Sequence, residues 1–368
     1  MLTVKVLFCH VFDKGDHIMQ PQKQTAMPEI AEQRQQLREN FIAALGWKNV
    51  TLEALPADAS FRRYYRLAGA AKPMLLMQDP PDRPPVPPFV MVEPFIKIAD
   101  HLRTLGLRSP EIYARDIANG LLVIEDFGDD TYTRLLNRNV DAKPLYEMAI
   151  DVLSHLHRHP ARGGIELPAY NDKQLADEAM LLPDWYYPAI SGKTLNEGSK
   201  ESYRAIWANL FAKFPKDQQT LVLRDYHVDN LMLVEGEGIS RCGLLDFQDA
   251  VTGQFSYDVM SLLEDARRDV PQDLQKHLLD RYFKDMGTID REAFGYAYRV
   301  LAAQRHAKVL GIFVRLFVRD GKDRYLQFIP HVHKLFMNAV NDPALATLKA
   351  WFEVQGFDIA TPFKMIQK

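Results

Sequence analysis

The sequence predicts an α+β chain of two lobes, a small β-rich one followed by a larger helical one. Three features lead there. Short apolar, β-compatible runs crowd the stretch from Thr51 to Glu125, whereas helical spacing dominates from Tyr146 and again from Tyr257 onward. The length, 368 residues, exceeds one ordinary domain and suits two lobes of roughly 100–250 residues. Hydrophobic residues make up 47% and charged residues 25%, enough apolar material for a sizeable core. The expected division is a tail over 1–27, a first lobe over 28–127 and a second over 128–368.

Asp13 to Thr25 is polar and unpatterned, and reads as a flexible tail or as sequence upstream of a natural start near Met27. Pro28 to Leu45 carries Ile30, Leu37, Phe41, Ala44 and Leu45 at helical spacing, and Gly46 ends it. Thr51–Leu55, Tyr64–Leu67 and Met74–Gln78 read as strands, broken at Pro56-Ala57-Asp58 and at Gly69 to Pro73. Pro80 to Pro88 holds six prolines and predicts an extended loop. Helical spacing returns from Phe89 to Leu105. Ile112–Asp116 and Leu121–Glu125 then form a hairpin turned at Asn119-Gly120. Past Phe127-Gly128, helices are expected over Tyr146–His157, Lys173–Trp185 and Lys200–Phe214. Short apolar strands follow at Leu221–Leu223, Leu231–Val234 and Gly243–Leu245. This order suggests a nucleotide clamped between two lobes.

Composition excludes several functions. A net charge of −3 provides no positive field to recruit nucleic acid or an anionic membrane. Two cysteines, Cys9 and Cys242, cannot build a disulfide framework or a cysteine zinc site, and their scarcity fits a reducing, cytoplasmic location. No run approaches the ~20 apolar residues of a membrane helix. The apolar start, Leu2 to Phe12, is interrupted by His10 and has no small-residue cleavage site after it, so secretion is not expected. His155 and His157 are two apart on a helix and do not face one another, which argues against a metal pair. A monomer is expected.

The most informative stretch is Leu223-Arg224-Asp225-Tyr226-His227-Val228-Asp229-Asn230-Leu231. Asp225 and Asn230 are five apart between two apolar runs, and Asp246 comes 16 residues after Asn230, in Leu245-Asp246-Phe247-Gln248-Asp249. Asp-x4-Asn alone is common. Strand, polar loop, strand and then Asp-Phe, after a β-rich half, is more specific. Phosphoryl transfer uses parts of this kind: one carboxylate to orient or accept a hydroxyl's proton, and hard oxygen donors to hold magnesium against phosphates. As plain structure, the same residues would be turn formers and a strand-end cap.

The segment resembles the catalytic loop of aminoglycoside phosphotransferase-like kinases, which share a two-lobed protein-kinase-like fold. Leu223 stands where that family usually has histidine. Further blocks resemble bacterial N-acetylmuramate/N-acetylglucosamine anomeric kinases of cell-wall recycling. They are Asp58 to Arg66, Leu245 to Ala250, Tyr257-Asp258-Val259, Gln304 to Leu316 and Arg319-Asp320-Gly321-Lys322 before Tyr325-Leu326, together spanning most of the chain. The resemblance implies ATP and Mg2+ as cofactors and a small-molecule sugar as acceptor. It also implies Asp225 as catalytic base, Asn230 and Asp246 as magnesium ligands, and Asp258 as a brace for the catalytic loop.

On the nucleotide side, Ala59 to Tyr64 sits where kinases carry a glycine-rich phosphate loop but has no glycine. Ser60, Arg62 and Arg63 are the side chains available to meet phosphate there, unless the segment is simply a solvated basic hairpin. The strand Leu75 to Asp79 lacks the usual phosphate-contacting lysine; Arg62, Arg63 or Lys97 would have to compensate. Backbone groups at Glu125 and Phe127 would meet the adenine edge. On the acceptor side, Asp249, Gln248, Trp185, Tyr186, Arg305 and His306 can supply the polar and aromatic contacts a sugar needs. Helix packing is an equally good account of the Trp185-Tyr186-Tyr187 run. The same machinery would serve an aminoglycoside, choline or homoserine kinase, and a non-catalytic nucleotide-binding regulator is the rival of another class.

Overall fold

The computed structural model describes residues 27–47, 49–56, 62–79, 92–159 and 163–357. The expected tail, the proline-rich run and Ser60 lie outside them. The described chain forms two compact units. One takes the chain up to Val152 together with Val228–Asp249, and the other takes Leu153–His227 together with the chain from Ala250 onward. The chain therefore leaves the second unit after His227 and re-enters it at Ala250. Asp225 belongs to one unit, and Asn230 and Asp246 to the other.

The first unit is built on a five-stranded antiparallel sheet, β1 (Thr51–Ala54), β2 (Arg63–Ala68), β3 (Met74–Gln78), β4 (Ile112–Asp116) and β5 (Leu121–Glu125), in the order β1-β2-β3-β5-β4. The β4–β5 hairpin closes as the Asn119-Gly120 pair predicts. Asp116 accepts from the Asn119 N–H at 3.2 Å, and Gly120 takes φ 67°, a left-handed value that glycine adopts without steric cost. Leu76, Leu121 and Val123 alternate onto one face with Leu67 and Met74. There they pack with Ile42, Leu37 and Phe41 of the helix Met27–Ala44. The helix Glu93–Thr104 buries Phe95, Ile96, Ile98, Ala99 and Leu102, the i, i+3, i+4 stripe its sequence shows. A two-stranded ladder, β7 (Leu231–Leu233) with β8 (Cys242–Leu244), completes this unit.

The second unit is mostly helical. The helix Arg291–Asp320 runs through it for 30 residues, capped by the Asp290 carboxylate at one end and by Gly321 at φ 68° at the other. Around it lie the helices Asp172–Ala179, Glu197–Phe211 and Ile329–Val340, a π-helical turn at Leu182–Tyr186, and the ladder of β6 (Gln219–Val222) with β9 (Val251–Gln254). The expected helix Lys173–Trp185 is thus a shorter helix followed by a π turn, with Pro183 inside that turn. β9 has no counterpart among the strands expected from sequence, because Val251-Thr252-Gly253-Gln254 is too short and too polar to stand out without its partner. His157 is buried and its Nδ1 bonds Tyr282 Oη at 2.7 Å, packing its helix against that of Tyr282.

Gly311 explains how closely the long helix can approach the π turn. A Cβ at this position would lie 2.1 Å from the Leu181 carbonyl oxygen, and a backbone atom cannot swing away as a side-chain tip can. Gly311→Ala is expected to destabilise the protein by about 2 kcal/mol or more through overpacking, read as a lower urea midpoint at unchanged m-value.

Candidate functional site

The loop that carries Asp225 leaves β6 through a bend at Arg224, whose φ of 69° is left-handed and unusual for a side chain with a Cβ. Asp258 holds that bend. Fully buried, it accepts the Leu223 N–H on one oxygen at 2.6 Å and the Arg224 N–H on the other at 2.9 Å. Burial pushes its carboxyl up to about 7, against the opposing pull of the two N–H donors.

Asp225 follows directly. Burial alone would raise its pKa, but His227, Arg305, Lys308 and Arg224 outweigh it and hold the carboxyl below the usual range. Burial also keeps His227 below its ordinary value, so at neutral pH the lasting positive charge comes from Arg305, Lys308 and Arg224. Two of these cations share one acid: Glu178 meets Arg224 at 2.5 Å and Lys308 at 3.0 Å. Arg305 is only 5% exposed, so it acts on Asp225 through charge from beneath the surface. His306 is fully buried and bonds Glu264 at 2.7 Å. Trp185 sits in the π turn, partly buried against the hydrophobic core. Of the residues expected around the acceptor, the structure thus brings Arg305 to Asp225, while His306 and Trp185 face packing partners.

In the first unit, Asn230 ends a 3₁₀ turn over Val228–Asn230 and its carbonyl accepts from Leu245 N at 3.0 Å, tying it to the strand that leads to Asp246. Asp246 also has a left-handed φ, 56°. Its side chain is half exposed, and Gln248 Nε2 donates to it at 2.8 Å. Gln248 itself is buried, so here it positions Asp246; Asp249 is exposed. The Phe247 ring stacks on Phe95 with centroids 4.9 Å apart, anchoring the turn.

Arg62 stands beside Asp246. Its Nε lies 3.0 Å from the wholly buried Asp79, and Nη1 lies 3.9 Å from Asp246. Arg63 is exposed and donates to the Arg62 carbonyl at 2.9 Å. The segment with Glu125 and Phe127 is pinned from both sides. The Glu125 side chain pairs with Arg108, and the Asp126 carboxylate binds Arg66 at 2.6 Å. The Phe127 ring lies so close to Gly243 that a Cβ there would sit 2.7 Å from it.

Sequence reasoning missed two groups: Glu178 as the acid shared by the catalytic-loop cations, and Asp79 as the anchor of Arg62. In the sequence Glu178 is one acid of the stretch Asp177 to Asp184, and nothing in its spacing singles it out. Nothing in the spacing from Arg62 to Asp79 reveals that β2 and β3 pair Arg63 with Gln78, which places the two side by side.

Residues 51–297 match the Phosphotransferase enzyme family. The chain belongs to this family. The phosphotransferase is 36% identical over 353 residues to an N-acetylmuramate/N-acetylglucosamine kinase of Caulobacter vibrioides, covering 88% of this chain and 97% of that one. To the protein of the same description from Pseudomonas aeruginosa it is 36% identical over 322 residues, covering 85% and 91%. Its fold is similar to that of an ADP-bound aminoglycoside phosphotransferase, with a TM-score of 0.53 at 15% identity over 83% of this chain and 98% of the other. Two lobes, a β-rich first and a helical second, are the architecture expected from the sequence. No helix among the described residues is long and apolar enough to cross a membrane.

Asp258→Ala would remove the carboxylate that accepts from the Leu223 and Arg224 N–H groups and release the Arg224 bend. A loss of about 2–4 kcal/mol is expected, measured by denaturant unfolding.

Proposed function

We propose that this phosphotransferase moves the γ-phosphoryl group of ATP to the anomeric hydroxyl of N-acetylmuramate or N-acetylglucosamine. The observation that carries the reading is the likeness over nearly the whole chain to kinases of those two sugars, together with a catalytic loop that keeps its acid and its oxygen donors. Asp225 takes or orients the proton of the acceptor hydroxyl, and three cations keep it ionised for that task. The Asn230 amide oxygen and the half-exposed Asp246 carboxylate are hard oxygen donors of the kind magnesium prefers, and would hold it with phosphate oxygens and water. When bound, the ion neutralises phosphate charge. Arg62, oriented by Asp79, supplies the phosphate-side cation that β3 lacks; Arg63 borders the same nucleotide, and the backbone at Glu125 and Phe127 meets its base. Asp249 and Arg305 belong to the acceptor side, the latter through Asp225, while Gln248 serves by holding Asp246. Trp185 and His306 support that side from within the packed core.

A polycationic acceptor fits less well. The acids that would receive it are already paired: Asp177 with Lys173 at 2.6 Å, Glu178 with Arg224 and Lys308, and Asp184 with Lys200 at 2.7 Å.

A screen of free sugars and amino alcohols with ATP and Mg2+, read by mass spectrometry, is expected to give a monophosphate of one or both amino sugars. Turnover only with a cationic alcohol would overturn the reading. Asp225→Asn should retain nucleotide binding and lose transfer by a factor on the order of 10²–10⁴. In Arg305→Met the Asp225 carboxyl loses a cation that lowers its pKa. The acid limb of kcat/KM should therefore move to higher pH, and an unmoved limb would remove Arg305 from this role.

A further inference from the structure

We propose that Arg315 is a specificity-determining residue that receives the carboxylate of N-acetylmuramate and leaves N-acetylglucosamine untouched. This rests on the amino-sugar reading above. The two sugars differ by one group, a lactyl ether on O3 that carries a negative charge, so a phosphotransferase acting on both needs somewhere to put that charge.

The second unit contains an open cleft of about 560 Å³, lined by Asn171, Gln174, Asp177, Glu178 and Arg315 among others. Its wall at Glu178 is the acid shared by Arg224 and Lys308, two of the cations that hold Asp225 ionised. The cleft therefore opens one side chain away from the catalytic loop. Lys308 and Arg315 are seven residues apart on the unbroken helix Arg291–Asp320. That spacing puts them on one face about 10 Å apart along the axis. A monosaccharide with one end at Asp225, reached by a long arginine side chain from the other, matches that span.

The charges lining the cleft point the same way. Lys173 is committed to Asp177, and Glu178 is held by two cations. Arg315 has no acid partner among the described residues, and its Nε is buried without a hydrogen-bond acceptor. The nearby Asp320 is bound by Arg319 at 2.7 and 3.0 Å. Burial, and then Arg319, hold the Arg315 guanidinium below its ordinary value, which still leaves it charged at neutral pH. A planar cation with an unused, desolvated donor is well matched to a carboxylate, which it can bind with two parallel hydrogen bonds. Asn171, also in the lining, accepts from the Gln174 backbone through its oxygen, a bond that does not use its amide N–H groups.

Steady-state kinetics with both sugars test this. Arg315→Met is expected to raise KM for N-acetylmuramate by about 10–100-fold, the range of a charge-assisted pair. KM for N-acetylglucosamine should stay within about twofold. Arg315→Lys, which keeps the charge without the fork, should fall between. The wild-type protein, assayed with N-acetylmuramate whose carboxylate is converted to the neutral amide, should show the same rise in KM. That arm holds even if a variant folds poorly. Equal changes for the two sugars, or no penalty for the neutral amide, would overturn the proposal. Failure of the wild-type protein to phosphorylate either sugar would instead sink the amino-sugar reading on which it rests.

Discussion

The bend at Arg224, held by the two oxygens of Asp258, is the constraint on which the arrangement around Asp225 depends. A left-handed residue with a side chain costs about 1–2 kcal/mol. It persists here because the two oxygens of a fully buried carboxylate accept from the two N–H groups at the bend. Turning at Arg224 sends its guanidinium toward Glu178 and presents Asp225 to Arg305 and Lys308. Straightening the bend would leave Asp258 buried without donors and Glu178 with one cation fewer. Local strain, hydrogen bonding and electrostatics therefore stand or fall together.

The long helix Arg291–Asp320 provides much of that electrostatic setting. Arg305 and Lys308 are one turn apart on it, and Gly311 lets it pack against the Leu181 carbonyl. Buried cations of this kind destabilise a core unless acids balance them. Glu178 and Asp225 do so, with Glu264 receiving His306 farther round the same helix. The polar run Gln304-Arg305-His306-x-Lys308 in an otherwise apolar helix is the trace of this network in the sequence.

The cation beside Asp246 is held across two neighbouring strands. β3 has no lysine, and a cation beside Asp246 comes from Arg62, just ahead of the neighbouring strand, with Asp79 just past the end of β3 as its anchor. The anchoring acid thus follows the last residue of β3 and the cation precedes the first residue of β2. An arginine fits such an exchange because its planar fork can hold an acid through Nε while Nη1 remains directed elsewhere.

Much of this was legible in the linear sequence because it depends on short-range chemistry. Gly and Pro breaks marked the strands of the first unit. Asn119-Gly120 marked its hairpin, and Asp225, Asn230 and Asp246 stood out by spacing among apolar runs. Arg62 was visible as one of several cations able to meet phosphate, Asp258 only through family resemblance, and β9 and Asp79's pairing not at all. Spacing reports what lies within one turn or one strand. Which acid neutralises which cation depends on contacts between residues far apart in the chain. Glu178 with Arg224 and Lys308, Asp258 with the Leu223 and Arg224 amides, and Arg62 with Asp79 are all such contacts. Sequence by itself determined the residue types, the order of the two lobes and the chemistry available. Only the tertiary structure decided which charges are paired, which are buried, and which, like Arg315, are left facing an open cleft. Burial and pairing are properties of three-dimensional neighbours rather than of neighbours along the chain.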